Sequence, residues 1–322
     1  MKQYIWKRVL TGALVVLFSV LFNFVLMRLA PGDPTRLLAG KENPNPATIL
    51  ALQERYGLNK PIMVQFAMYI KQLLHGDFGF SYVSNRPVLT IIGERFGATI
   101  LLAVVGLIIE ITVGILLGVH AAQHQGSKFD TILNGISYFF DSTPAFWLGL
   151  MIILLFSSTL HLLPTSGMYN VRENYQGFRR VLDVGYHMIL PTLTMVVLNI
   201  PYYFRITRSS VMETMNEDYI MTLRSTGMPE KQIFRKYVLR NALLPIITVV
   251  GITMAYMITG VAFIEIVFAW PGMGRLMLNS ITTRDYPVLS GIYLLLSISV
   301  AVMMIVVDVV YAYADPRIRY ED

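Results

Sequence analysis

Three carboxylic acids interrupt long apolar stretches of this sequence: Glu110, Glu265 and Asp308. An ionised acid at the centre of a membrane-spanning helix costs roughly 2.5–3.5 kcal/mol on insertion scales, so each acid needs a compensating partner. Glu110 could face a cavity and meet a cationic group of a solute. The alternative is that it forms a hydrogen bond between helices or is protonated. Asp308, near the end of its stretch, is expected to reach the interface or cap a helix.

The sequence lacks the motifs that would support catalysis. It contains no GxxxxGKS or GxxxxGKT phosphate loop, no HExxH and no GxSxG. Its five histidines do not cluster at ligand spacing, and His120 and His124, four residues apart, lie at the end of an apolar stretch. We therefore expect that the chain binds neither ATP nor a metal ion, has no cofactor and catalyses no covalent chemistry.

The composition indicates that lipid surrounds these acids. Of the 322 residues, 55% are hydrophobic and only 14% are charged, and the mean hydropathy is +0.56. A soluble domain would carry about a quarter charged residues. The chain has no cysteine, which excludes a disulfide framework.

Six apolar segments are long enough to cross a bilayer, and each must be helical to satisfy its backbone in lipid. The first is too long for a signal peptide, so we interpret it as a retained helix. The segments are Val9–Met27, Thr99–Val119, Ala145–Leu163, Tyr186–Phe204, Ile246–Phe268 and Val288–Tyr311. The predicted fold class is an all-α membrane protein with about six transmembrane helices.

Three features qualify these spans. The third span could begin before Pro144, because residues 131–140 are also rather apolar. Pro191 and Pro201 predict a kink or a break in the fourth. Gly114 and Gly118 form a GxxxG in the second, which favours close packing of two helices.

The distribution of Lys and Arg predicts that both termini are cytoplasmic. Long external segments cross the membrane largely regardless of charge, so residues 28–95 are set aside. With the N-terminus inside, the cytoplasmic side then holds 13 basic residues against 5 outside.

In the external segment, Pro46–Gly57 and Pro61–Gly76 each begin with proline and end with glycine, which predicts two short helices. This segment is either a cap on the membrane domain or a surface that guides a solute or docks a partner.

Within the cytoplasmic loop 205–240, the residues typical of helix ends predict a short rigid helix. Asn216 is predicted to be its N-cap, with Glu217 and Asp218 at the positive end of the helix. Arg224 lies near the C-terminal end, and Gly227 suits the left-handed position that follows.

A second helix then begins at Pro229 and runs towards the membrane. We expect Tyr219, Ile220 and Leu223 to be exposed on the first helix. Two interpretations remain open: an amphipathic helix on lipid headgroups, or a knob that inserts into a cytoplasmic partner.

At this loop the sequence resembles a family. The run DYIMTLRSTGMPEKQIFRKYVLRNALLP, residues 218–245, is similar to the coupling loop of bacterial ABC-importer permeases of the dipeptide, oligopeptide and nickel class. Further stretches match the same class in the same order along the chain. They are LAPGDP (29–34), GDFGFS (76–81), IEIVFAWPGMGRL (264–276), RDYPVLSG (284–291) and VDVVYAYADPRIRY (307–320). The chain resembles the first of the two paired permeases.

The resemblance implies a type I ABC-importer permease fold in a bacterial cytoplasmic membrane. It implies four kinds of neighbour: a second homologous permease, two ATP-binding subunits, an extracytoplasmic solute-binding protein and the lipid bilayer, with no nucleic acid. The expected parts are an N-terminal transmembrane helix (1–29), an external segment (30–94), a transmembrane core (95–312) and a cytoplasmic tail (313–322). The solute would be a di- or oligopeptide. Nickel, another small solute or an ion-coupled secondary carrier are the alternatives.

The resemblance also implies roles for individual residues. The loop helix would contact an ATP-binding subunit, and Gly227 matches the glycine of the coupling motif. The chain has Met221-Thr222-Leu223 where the general importer motif has Glu-Ala-Ala, so Arg224 is a candidate for the polar contact. The proposed coupling residues are Asn216, Asp218, Tyr219, Leu223, Arg224 and Gly227. The proposed residues of the translocation path or its external gate are Glu110, Glu265, Trp270, Pro271 and Gly272.

Overall fold

The computed structural model describes residues 2–29, 59–173 and 175–314, and helices dominate this part of the chain. The predicted helix Pro46–Gly57, most of LAPGDP and the tail from residue 315 lie outside the described residues. The helices are α1 (Lys2–Leu29), α2 (Ile62–Leu74), α3 (Val88–Gln123), α4 (Lys128–Asp141), α5 (Ala145–Ile152), α6 (Phe178–Met215), α7 (Asp218–Ser225), α8 (Glu230–Ile233), α9 (Leu239–Gly260), α10 (Ala262–Val267), α11 (Met273–Thr283) and α12 (Tyr286–Ala314). Two π-helical segments, Ile153–Thr159 and Phe234–Val238, continue α5 and α8.

Within the described residues, five helical stretches are long and apolar enough to span a membrane. They are Trp6–Met27, Val88–Gln123, Phe178–Met215, Glu230–Met257 and Tyr286–Asp308. The helices α4 and α5, with its π-helical continuation, form a broken pair bent by 103° that could supply a sixth span. The prediction of an all-α protein with about six spans is confirmed.

The bend in this pair separates residues 131–140 from α5. Ser127 caps α4, because its hydroxyl accepts the amide of Asp130 at 3.2 Å. Pro144 then occupies the N-cap position of α5 with an extended backbone (ψ 133°). Residues 131–140 therefore belong to a separate helix. Helix α5 with its π-helical continuation runs from Ala145 to Thr159 and ends four residues before the predicted end at Leu163.

The fourth span has no break, the fifth is interrupted, and a kink in the fourth stays a prediction. Helix α6 runs without a break through Pro191 and Pro201, both of which are buried. In membrane proteins, neighbouring helices and polar side chains can satisfy the groups that a proline frees. The predicted span 246–268 is interrupted at Val261, so α9 ends at Gly260 and a separate short helix, α10, follows.

The described residues up to 98, together with 272–302, form one compact unit. Its α1 and α2 pack through Phe24, whose ring lies 5.1 Å from that of Phe66 and 5.8 Å from that of Tyr69. The hydroxyls of Tyr69 and Ser290 are 3.0 Å apart and join α2 to α12. The predicted helix Pro61–Gly76 is thereby confirmed as α2, with Pro61 at its N-cap.

The same unit brings together two of the motifs noted in the sequence. Buried Asp285 accepts the hydroxyl of Ser81 at 2.5 Å and the amide of Tyr82 at 3.0 Å. Residues of GDFGFS and RDYPVLSG, about 200 positions apart, thus share one hydrogen-bond network. This network holds the turn that precedes α3.

The described residues of 99–271 and those of 303–314 form the second unit. Here α3 packs tightly on α6. A Cβ atom added to Gly114 would lie 2.5 Å from Cβ of Tyr203, and one added to Gly118 would lie 2.7 Å from the carbonyl of Phe204. The predicted packing role of the GxxxG pair is confirmed, because only glycine permits this approach.

Candidate functional site

The loop between α6 and α8 begins differently from the prediction. Asn216 ends α6, with its amide donating to the carbonyl of Glu213 at 3.1 Å. Glu217 takes the N-cap position of α7, and Asp218 lies in the first turn. The prediction that Asn216 caps α7 is wrong because α6 continues to Met215 and uses Asn216 to terminate.

The end of α7 follows the sequence pattern. Gly227 has φ +77°, the left-handed conformation that glycine adopts without strain, and its amide donates to the carbonyl of Arg224 at 3.0 Å. The Arg224 guanidinium also bonds the Glu230 carboxylate of α8 at 2.7 Å. This pair is exposed, so it contributes little stability, but it links the two helices across the turn.

One side of α7 is fixed by apolar packing. Ile220 is fully buried, in a cluster with Val211 of α6 and with Ile233 and Val238 of α8 and its π-helical extension. Half-buried Leu223 packs against the same cluster. The prediction that Ile220 is exposed is therefore wrong. Its side chain anchors the helix instead.

The other side of α7 faces solvent. Met221 is 65% exposed and Tyr219 is 39% exposed. Asn241 of α9 donates to the Tyr219 hydroxyl at 2.8 Å, which fixes that ring at the edge of the surface. The result is a short helix held by caps and a buried anchor, with an outward face available to a partner.

Glu110 of α3 lies at the wall of a cavity between α3, α6 and α9. The cavity has a volume of about 310 Å³. Glu110 is 1% exposed and hydrogen-bonds the side chain of Asn199 on α6, while its Oε2 has no hydrogen-bond partner in the described structure. Tyr203 donates its hydroxyl to Thr253 at 2.9 Å on the same wall. The structure thus places this predicted path residue at the wall of a cavity between three helices.

Glu265 has a different environment. It is fully buried on α10, and Thr99 of α3 donates to its Oε1 at 2.5 Å. The amide of Trp270 donates to its backbone carbonyl at 2.8 Å. Trp270 and Gly272 are buried and Pro271 is half-buried. These residues form a tightly packed turn, and a gate role for them stays a prediction.

Two charged contacts were not singled out from the sequence. Arg208 of α6 makes two bonds to Asp130 of α4, at 2.6 and 2.7 Å, and Arg205 bonds Asp141 at 2.8 Å. The spacing of Arg205 and Arg208, three residues apart, was the available signal for a shared helix face. The acids that meet them could not be identified without the fold.

The described residues contain no group of three His, Cys, Asp or Glu side chains arranged to hold a metal ion. The rings of His120 and His124 lie 4.4 Å apart at the end of α3. Asp308 is half-buried on α12.

Comparison with known families covers nearly the whole chain. Residues 114–320 match the model of the binding-protein-dependent transport system inner membrane component. Residues 1–103 match the N-terminal model of a binding-protein-dependent transport system membrane component.

Relatives match along their full length. A peptide transport system permease protein of Brucella abortus (strain 2308) is 38% identical over 321 residues, which is 100% of both chains. The dipeptide transport system permease protein DppB of Escherichia coli (strain K12) is 34% identical over 340 residues, again with 100% of both chains.

A solved structure shares the fold. The inward-facing MetNI methionine ABC transporter superposes with a TM-score of 0.53, covering 70% of this chain and 97% of the other, at 19% sequence identity. This likeness identifies the type I importer permease fold. A multi-pass helical chain with these matches works within a transport system that includes a binding protein and ATP-binding subunits. The protein is therefore a member of the binding-protein-dependent transport system inner membrane component family, the permeases of ABC importers.

Proposed function

We propose that this chain is one permease half of an ATP-driven importer of peptides. A second homologous permease would complete the pathway, two ATP-binding subunits would bind and hydrolyse ATP, and an external binding protein would deliver the peptide. The chain itself would carry no cofactor. Both of its termini would lie in the cytoplasm, and the membrane would be the bacterial cytoplasmic membrane.

The observation that carries this proposal is the construction of α7. A helix that transmits movement must be fixed on one side and free on the other. Buried Ile220 fixes α7 to the ends of α6 and α8, and Met221 presents an exposed apolar contact. Movement of an ATP-binding subunit against Met221 would therefore reach α6 and the helical stretch Glu230–Met257, which begins with α8, rather than be absorbed by a flexible loop.

The mechanism we propose is alternating access. Closure of the ATP-binding subunits would displace α7 and open the pathway outward, so that the binding protein releases its peptide into the pathway. Hydrolysis would return the pair to the inward-open state. The peptide cargo is supported by the names of the two relatives, both of which are permeases of peptide transport systems.

The test compares two substitutions of equal chemistry at exposed apolar sites. Met221→Asp places a charge on the outward face of α7, and the control Val171→Asp places one at a loop residue that is 78% exposed. An uncompensated charge at the centre of an interface costs about 2 kcal/mol or more, which is more than tenfold in affinity. We expect Met221→Asp to lower ATP-driven dipeptide uptake in proteoliposomes and the co-purification of the ATP-binding subunits, while Val171→Asp remains near wild type.

A second variant examines rigidity. Gly227→Pro removes the amide that bonds Arg224 and cannot adopt a positive φ, so uptake should fall although Met221 is intact. Unchanged uptake in both Met221→Asp and Gly227→Pro would refute the coupling role.

Uptake that survives loss of ATP but disappears with the ion gradient would identify a secondary carrier. A complex that hydrolyses ATP but accepts no peptide would refute the cargo.

A further inference from the structure

The cavity beside Glu110 has a single ionisable carboxylate among its lining residues and no Lys, Arg or His. Its other polar groups are the amide of Asn199 and the hydroxyls of tyrosine and threonine side chains. The remainder of the wall is aliphatic or methionine. An ionised Glu110 would be the sole formal charge on this wall, and it would favour a cation over an anion.

Glu110 is only partly satisfied by the protein. Asn199 bonds one part of the carboxyl group, but Oε2 is buried without a hydrogen-bond partner in the described structure. A buried polar atom without a partner is costly and uncommon in native proteins. Glu265 in the same unit shows the usual solution, because Thr99 donates to it directly. The unpartnered Oε2 of Glu110 is therefore available to accept a hydrogen bond from a ligand group in the cavity.

The aromatic side chains of the cavity complement a cation. Tyr202, Tyr203 and Tyr256 all line it, and tyrosine rings attract ammonium groups through their negative faces. The Tyr203 hydroxyl donates a hydrogen bond to Oγ1 of Thr253, so its own oxygen remains able to accept one. A primary ammonium has three N–H donors, which suits one carboxylate oxygen and neighbouring hydroxyls.

Size and ligand type distinguish an ammonium from a metal ion. One carboxylate, one amide and a few neutral hydroxyls are a poor ligand set for Ca²⁺, which takes about 6–8 oxygen ligands in proteins. A volume of about 310 Å³ is far larger than a bare ion, and it lies at the lower end of the range of small-molecule pockets, about 300–1,000 Å³. The cavity is open on one side of this chain, where Tyr202, Ile252 and Tyr256 are each more than 40% exposed.

We propose that this cavity is a transit subsite for the N-terminal ammonium group of a peptide, with Glu110 as its counter-ion. The inference rests on the proposed import of peptides and adds a residue and a chemical group to it. Glu110 binds the ammonium, Asn199 orients the carboxylate, and the tyrosine rings shield the charge from the surrounding apolar helices.

The experiment uses the assembled transporter with Ile252→Cys as the sole cysteine of this chain, since the natural sequence contains none. Ile252 lines the cavity and is 47% exposed, so a thiol there can react with methanethiosulfonate reagents. The rate of modification is compared for an ethylammonium and an ethylsulfonate reagent. Protection is then measured with Ala-Leu and with propionyl-leucine, which is the same molecule without its ammonium group.

Glu110→Gln keeps the shape of the side chain and removes its charge. We expect it to reduce the cation-to-anion ratio of reaction rates and the protection by Ala-Leu each by about tenfold, with protection by propionyl-leucine unchanged, since a hydrogen bond to a charged group is worth at least that factor. Glu94→Gln makes the same change at an exposed position on the same helix and serves as the control. It should alter neither quantity.

The possible results separate this inference from the function on which it depends. If the wild-type complex imports peptides but Ala-Leu and propionyl-leucine protect equally, or Glu110→Gln changes nothing, the ammonium subsite is refuted and the importer stands. If the wild-type complex imports no peptide, the proposed cargo is refuted and the subsite is refuted with it.

Discussion

Gly114 and Gly118 illustrate how single residues determine the approach of two long helices. Where α3 meets α6, any side chain at these positions would overlap Tyr203, Phe204 or Thr207. Elsewhere on α3, Gly97 has open space around its α-carbon. Gly114 and Gly118 are therefore needed for helix packing, whereas Gly97 on the same helix is not, although the sequence does not distinguish them.

This difference leads to a prediction. Gly118→Ala adds a methyl group 2.7 Å from a backbone carbonyl, and such overpacking costs roughly 1–3 kcal/mol. Gly97→Ala adds the same group in open space and should be neutral or stabilising by up to about 1 kcal/mol, because alanine favours helix. Thermal unfolding of the purified protein in detergent measures both. Equal midpoints for the two variants would contradict the close contact.

At the scale of elements, α4 is attached to α6 by charge as well as by packing. Asp130 is 3% exposed and accepts two bonds from Arg208, one from the amide of Gly126 and one from Asn134. These hydrogen bonds therefore let Asp130 position α4 on α6. This attachment holds α4 on α6, and α5 follows at an angle of 103°.

Removing one side of this ion pair should therefore loosen α4. Arg208→Met leaves a largely buried carboxylate without its cation, and we expect a loss of about 2–3 kcal/mol, below the range of fully buried pairs because Arg208 is 22% exposed. The control Arg86→Met breaks the Arg86–Glu94 pair, which is about half exposed on both sides, and should change stability by less than about 1 kcal/mol. Limited proteolysis of residues 124–144 measures the effect on α4. Similar digestion of both variants would show that the pair is not structural.

At the scale of the whole molecule, the order of spans and loops decides which surface meets which partner. The proposed arrangement places α7 on the cytoplasmic side and the loop between α5 and α6 on the outer side. The charge distribution in the sequence supports this orientation through the excess of Lys and Arg on cytoplasmic segments.

Single-cysteine labelling tests the orientation directly, because no native cysteine has to be removed. In right-side-out vesicles, a membrane-impermeant maleimide should label Val171→Cys and should label Ser225→Cys only after permeabilisation. Both residues are exposed, so both should react once the membrane is opened. Labelling of Ser225→Cys in sealed vesicles would place α7 outside and refute its contact with a cytoplasmic ATP-binding subunit.

The sequence alone determined what depends on local chemistry. Apolar length is enough to identify a membrane-spanning helix, since lipid offers no partner to an open backbone. The left-handed turn at Gly227 was likewise predictable, because only glycine adopts φ near +77° freely. The motifs of the loop and the flanking stretches were sufficient to identify the family.

Only the tertiary structure decided what depends on neighbours distant in the chain. The sequence around Ile220 does not reveal whether its side chain is exposed or buried. Packing against residues of α6 and α8 buries it and anchors α7. Glu110 and Glu265 were equivalent acids in apolar sequence, but Thr99 satisfies one and a cavity adjoins the other. The physical reason is that burial and hydrogen bonding are properties of the space around a side chain, and residues far apart in sequence create that space.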